Sequence, residues 1–161
     1  MALSSDGHVY ACGHNWDGHW GNGTSGSDNR AWATIVQTNM KDLWTTNAED
    51  GNLAAFFLDK NDVLWAAGAN TDYQLGIANF AGTGVCNVKQ RVALPPGEYP
   101  VQLVKTGSVT GSAYLGTTCL TNKNRIYIWG NTGADIIPQL GMTAGARLPV
   151  LINDFYQPNQ A

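Results

Sequence analysis

The residue types best suited to chemistry gather near the start of the chain, where His8, His14 and His19 lie close to Asp17. A metal ion needs three or four ligands converging on one point. Alternation puts His8 on a strand, whereas His14 and His19 fall in a glycine-rich loop, and no spacing forces the three to meet. They read as exposed loop histidines, with no metal site. Gly82-Thr83-Gly84 lacks the third glycine of a dinucleotide loop, and no Gly-Lys-Ser/Thr phosphate loop occurs. A nucleophile elbow is missing, and no pair of carboxylates recurs at matched positions as glycosidase chemistry would need. The expectation is a protein that is not an enzyme, with no catalytic residues and no cofactor.

Aromatic residues say more. Trp16, Trp20 and Trp32 stand in loop sequence near Asp17, Asn22, Asp28 and Arg30. A tryptophan face can stack on a sugar ring while neighbouring polar groups bind its hydroxyls, so Trp16, Asp17, His19, Trp20, Asn22 and Arg30 form a candidate ligand-binding set. The alternative is that the same residues cap a neighbouring structural unit. Trp65 and Trp129, with Tyr10 and Tyr127, lie in alternating segments and read as packing residues.

The elements that would position these residues repeat. Leu3 to Gly21 (LSSDGHVYACGHNWDGHWG), Leu58 to Gly76 (LDKNDVLWAAGANTDYQLG) and Leu120 to Gly141 (LTNKNRIYIWGNTGADIIPQLG) share one plan. A leucine precedes a polar turn, an alternating strand follows, and a glycine ends the strand ten residues after the leucine in all three. A polar segment then leads to a second glycine. Such self-similarity marks a repeat architecture. Asp6-Gly7 suits a tight two-residue hairpin turn, and Asn61-Asp62 and Asn122 to Asn124 read as the turns of the second and third copies. Ile35-Val36, Leu43-Trp44, Val101 to Lys105, Tyr114 to Leu120 and Pro149 to Ile152 read as further strands. Ile77 to Pro100 reads as a long loop with a functional role or none of fixed structure. No amphipathic helix is apparent, and short strands between Gly, Asn and Pro turns predict an all-β fold.

Composition narrows the setting. The chain has 161 residues, the size of one domain, and 13% of them are charged, against about 25% in ordinary globular domains. The low-charge, turn-rich surface favours a virion or extracellular location over a cytoplasmic one. Net charge is -3 without a Lys/Arg run, which speaks against nucleic acid as a partner. Neither a secretory leader nor an apolar run long enough to span a membrane is visible. Cys12, Cys86 and Cys119 are scattered and read as small buried or half-buried hydrophobes.

On these residues the repeat resembles that of the regulator of chromosome condensation family: leucine, a turn, an alternating strand, Trp-Gly, Asn, then Gln-Leu-Gly. The third copy matches with Leu120, Trp129-Gly130-Asn131 and Gln139-Leu140-Gly141, and the second with Leu58, Gly68, Asn70 and Gln74-Leu75-Gly76. In the first copy Leu3, Gly13, Asn15 and Gly21 match, but His19-Trp20 replaces Gln-Leu. The resemblance implies blades of a β-propeller, about three four-stranded antiparallel sheets, each burying its faces on its neighbours. It also implies structural roles for Gly13, Gly21, Gly68, Gly76, Gly130 and Gly141. The family's frequent histidine four residues before the leucine is replaced by Ala54 and Gly116.

The chain is accordingly read as one repeat domain, 1–161, with blade-like units at 1–34, 35–99 and 100–147 and a terminal strand and tail at 148–161. A complete propeller in the family has seven blades, so a partial propeller is expected. Its two ends look complementary: Pro149 to Ile152 would complete the first blade of another copy, giving a homo-oligomer. The functional expectation is a non-enzymatic recognition or structural module whose rim loops bind a protein or a surface glycan, in a phage tail or other virion or extracellular assembly. The alternative, implied by the resemblance, is a guanine-nucleotide exchange factor acting on a small GTPase.

Overall fold

The computed structural model describes residues 1–26, 28–45, 52–78, 84–106, 116–131 and 146–152. Among them every regular element is a strand: β1 Ala2–Leu3, β2 Val9–His14, β3 Asn29–Gln37, β4 Met40–Thr45, β5 Ala54–Asp59, β6 Leu64–Ala69, β7 Val85–Arg91, β8 Pro100–Thr106, β9 Gly116–Thr121, β10 Ile126–Gly130 and β11 Ala146–Leu151. They form three antiparallel sheets, each built around one repeat, with strand orders β1-β2-β3, β4-β5-β6-β7 and β8-β9-β10-β11. We call these blades 1, 2 and 3. The expected all-β fold is present, with three strands rather than four in blade 1.

Side-chain alternation explains how the blades stack. In β5, Ala54, Phe56 and Leu58 point to one face and Ala55 and Phe57 to the other, and all five are buried. The first set joins Leu64, Ala66, Cys119, Tyr127 and Trp129 in the core between blades 2 and 3. The second joins Val9, Met40 and Ala67, with Leu3, Val36, Leu43 and Trp65, in the core between blades 1 and 2. A strand buried on both faces needs a continuous apolar run, and AAFFL supplies it.

Each repeat's hairpin closes with a three-residue loop, one residue longer than the turns expected at Asp6-Gly7 and Asn61-Asp62 and as expected at Asn122 to Asn124. Ser4 N–H donates to the His8 carbonyl at 2.9 Å and Gly7 N–H to the Ser4 carbonyl at 3.0 Å; Asp59 with Val63 and Thr121 with Arg125 repeat the closing bond. A primed two-residue turn puts both central residues at positive φ. Here one residue per loop is left-handed, Gly7, Asp62 or Asn124. Asp59 organises its loop further, accepting N–H bonds from Asn61 and Val63 at 2.8 and 3.0 Å and from Trp65 Nε1 at 2.9 Å. Burial alone would raise its pKa, but these bonds and Lys89 hold it below the ordinary carboxylate value.

Three expectations need correction. The segment Ile77 to Pro100 contains β7, the outer strand of blade 2. Arg30 and Trp32 lie on β3 rather than in a loop. The terminal strand does not wait for another copy: β11 pairs with β10 of its own chain, through Tyr127 with Leu151 and Ile128 with Val150. Gln139-Leu140-Gly141 and the tail after Ile152 lie outside the described residues.

Gly13 and Gly68 occupy the same repeat position, yet their surroundings differ. Both are left-handed, with φ of 85° and 119°. A Cβ on Gly68 would lie 2.2 Å from the Leu53 carbonyl oxygen, whereas one on Gly13 would meet nothing within 4 Å. Gly13→Ala is therefore expected to cost only the backbone penalty, about 1–2 kcal/mol. Gly68→Ala adds a clash with backbone and should cost more than about 3 kcal/mol. Urea denaturation of the two variants checks this, and equal losses would refute it.

Candidate functional site

The candidate residues belong to the loop between β2 and β3. Its path is set by two successive turns, in which Gly18 N–H donates to the Asn15 carbonyl and Gly21 N–H to the Gly18 carbonyl, both at 3.0 Å. Blade 2 repeats the pair with Tyr73 onto Asn70 and Gly76 onto Tyr73, each at 3.2 Å. A buried asparagine clamps each loop: Asn15 Oδ1 accepts Trp20 N–H at 3.0 Å, and Asn70 Oδ1 accepts Leu75 N–H at 3.1 Å. Asn15 Nδ2 also donates to the Thr24 carbonyl at 2.8 Å and to its hydroxyl at 3.0 Å. Thr24 in turn donates to Asp28 Oδ2 at 2.6 Å, and Asp28 pairs with Arg30 Nε at 2.9 Å. That network pulls the Asp28 carboxyl below its ordinary range, with Arg30 first and Thr24 second among the causes.

The structure separates the six candidate residues. Trp20 is fully buried, with the Arg30 guanidinium 6.0 Å from its ring centre. Asp17 is buried and accepts Leu53 N–H at 2.8 Å, tying the loop to blade 2. His19 is buried too, and its Nδ1 has no hydrogen-bond partner among the described residues. Gln74 Nε2, at the matched position of blade 2, is in the same situation. Trp16 is 65% exposed, while Asn22 is open to solvent and Arg30 half-buried. Trp16, Asn22 and Arg30 are thus accessible, and Trp20 offers no free face for a sugar to stack on. His14 is exposed near Trp16, with ring centres 6.5 Å apart.

Beyond Trp20 the loop pairs with the next blade. Lys89 N–H donates to the Gly21 carbonyl at 3.2 Å, and Gly23 N–H to the Asn87 carbonyl at 2.8 Å. These partners sit in a bulge that sequence reasoning missed and that recurs in every blade. Residues 31–33 of β3 stand against Cys12, residues 87–89 of β7 against Ala67, and residues 147–149 of β11 against Trp129. A signal did exist: a buried asparagine six residues before a left-handed glycine in two copies marks the loop that docks there. Among the described residues no cluster of His, Cys, Asp and Glu could hold a metal. Two thiols are poor nucleophiles: burial, then the Glu98 charge, pushes Cys119 up to about 12, and burial raises Cys86. Cys12 is exposed, contrary to expectation, because no blade covers its face.

Burial lowers the His19 pKa from its ordinary 6.5, against the smaller opposing pull of Asp17. The unfolded chain therefore takes up this proton before the folded one does. Its contribution to stability is complete above pH 6.5 and is lost as pH falls from there through the folded pKa. The urea midpoint should drop between about pH 7 and about pH 5 in the native chain. In His19→Gln, which installs the second repeat's residue, that drop should be visibly smaller. Parallel curves for the two proteins would show that His19 is not its source.

No known family profile and no curated protein matches the chain. Solved structures do. Yeast RCC1 (Prp20), in its complex with Kap60, matches 94% of this chain with a TM-score of 0.71 at 17% identity, and 35% of that protein is covered. Prp20p from Saccharomyces cerevisiae, whose structure was reported with its binding properties to Gsp1p and histones, matches 94% with a TM-score of 0.66 at 18% identity, covering 36% of it. Human WBSCR16 matches 98% with a TM-score of 0.67 at 17% identity, covering 37%. At such identity the likeness speaks to fold alone. The three sheets are blades of an RCC1-like β-propeller, and the chain spans just over a third of the length of these neighbours.

Proposed function

We propose that the chain is a non-enzymatic protein-recognition module whose β2–β3 loop presents Trp16 to a protein partner. The observation that supports this is the 65% exposure of Trp16 on a loop fixed by the Asn15–Thr24–Asp28–Arg30 network. A large aromatic group on a rigid support gains contact area at little entropic cost, which is why tryptophan is enriched among energetic anchors. Asn22 and Arg30 are the polar groups of the set left accessible for the rim of such a contact. Asp17, His19 and Trp20 act as positioning residues. The yeast neighbours, one solved with Kap60 and one studied with Gsp1p and histones, make a protein the class of partner to test. Glycan and virion settings draw no support from these neighbours and form no part of the proposal.

Kap60, Gsp1p and histones serve as probes for capture by the immobilised chain. Trp16→Ala should weaken any capture by about tenfold or more while leaving the urea midpoint unchanged. Trp20→Ala should instead cost about 3–5 kcal/mol of stability. Undiminished capture by a folded Trp16→Ala protein would sink the recognition role. Nucleotide release from a small GTPase, run with the same samples, tests the exchange-factor alternative, and measurable stimulation would put that reading first.

A further inference from the structure

The contact between consecutive blades occurs twice within the chain and has one construction. The loop of the leading blade lays a left-handed glycine on the strand of the next, Gly21 beside the Ala67 side chain and Gly76 beside the Trp129 ring. Three residues earlier, Gly18 abuts Asn87 and Tyr73 stacks on Arg147, whose guanidinium lies 4.5 Å from the ring centre. Asn87 and Arg147 each open the bulge of their blade. The receiving surface is therefore a strand position flanked by a three-residue bulge.

Blade 1 carries the same surface, and among the described residues nothing lies on it. Cys12 occupies the position of Ala67 and Trp129, and 31–33 form the bulge. Cys12, Ala31 and Ala33 are exposed, and Trp32 is 84% exposed, the largest value among the big apolar side chains described. Tyr10 is half-buried where its counterpart Tyr127 is 4% exposed. At the other end of the row the opposite face is open. Val104 of blade 3 is 47% exposed, whereas Trp44, its counterpart in blade 2, packs into the core shared with blade 3.

We propose that the blade 1 face formed by Tyr10, Cys12 and the Trp32 bulge is the docking surface for blade 3 of a second copy of this chain. The contact would continue, between chains, the interface already made twice within one. It is heterologous, joining the leading face of one copy to the trailing face of another. Exposed apolar faces at both ends of a stack of blades are the features such an interface removes from water. The proposal does not depend on the role of Trp16, and it replaces the strand exchange ruled out by the pairing of β11.

Light scattering of the purified chain over a range of concentrations tests it, with Trp32→Asp and Val104→Asp as variants. Both positions are exposed, so both variants should fold, which circular dichroism verifies. The native chain should exceed its 17.2 kDa monomer mass as concentration rises. Each variant alone should remain monomeric or stop at a lower mass. Mixing the two should restore a one-to-one dimer, because one variant keeps an intact blade 3 and the other an intact blade 1. A native chain that stays at 17.2 kDa overturns the proposal and leaves the face to another protein or to further blades. Association untouched by either substitution, or a mixture that does not recover, overturns it equally.

Discussion

The fold depends on a contact that only a residue without a side chain can make. Gly76 lies so near the Trp129 ring that a Cβ would fall 2.7 Å from Nε1, and Gly21 leaves 3.1 Å to the Ala67 methyl. A three- or four-stranded sheet of this length cannot bury both faces on its own. The glycine lets the loop of one blade reach over the next and close the seam. Around it the backbone is already committed: the Gln74 carbonyl accepts from Trp129 Nε1 and from the Thr117 hydroxyl, both at 2.8 Å. In the first seam Gln37 Nε2 donates to the Trp20 carbonyl at 2.9 Å and is itself held by Lys89 at 2.7 Å. Different side chains thus satisfy adjacent carbonyls of the matched loops, Trp20 in one seam and Gln74, one position earlier in the repeat, in the other.

That variation shows in the sizes of the residues at the seam. Where the facing residue is the small Ala67, the loop brings Trp20; where it is the large Trp129, the loop brings Leu75, and all of these are buried. One turn earlier the sizes rise together instead, with Gly18 against Asn87 in one seam and Tyr73 against Arg147 in the other. Interiors are packed close to crystalline density, so the volume a side chain occupies on one side of a seam bears on what fits opposite. The replacement of Gln-Leu by His19-Trp20 in the first copy thus accompanies a smaller residue, Ala67 in place of Trp129, at the strand position beside the seam glycine.

Much of this was legible in the residues. The leucine-to-glycine spacing located β1–β2, β5–β6 and β9–β10. What escaped was non-local. The bulges leave no local mark, because residues such as Ala31-Trp32-Ala33 and Asn87-Val88-Lys89 share no side-chain type; they share only a partner across the strand. Strand β7 was missed because Gly82, Gly84 and Pro95-Pro96 flank a seven-residue strand with the appearance of one long loop. Trp20 and Trp16 could not be told apart by type or neighbours. Their fates diverge because the residue after Trp20 is the seam glycine, which carries that side chain inward, whereas Trp16 lies on the far side of the first turn.

The chemistry of the loop follows from the same economy. Asn15, Asp17, Thr24 and Asp28 look in sequence like the polar half of a binding site, yet each is occupied with holding backbone or a neighbour. Buried polar groups must find partners, and in a loop that closes a blade seam those partners are the loop's own N–H and C=O groups. A polar-rich segment in a repeat protein is then a measure of how much backbone the seam leaves unpaired, rather than of ligand chemistry. The side chains that the two seams within the chain leave unused are exposed, and on blade 1 the largest of these are the rings of Trp16 and Trp32.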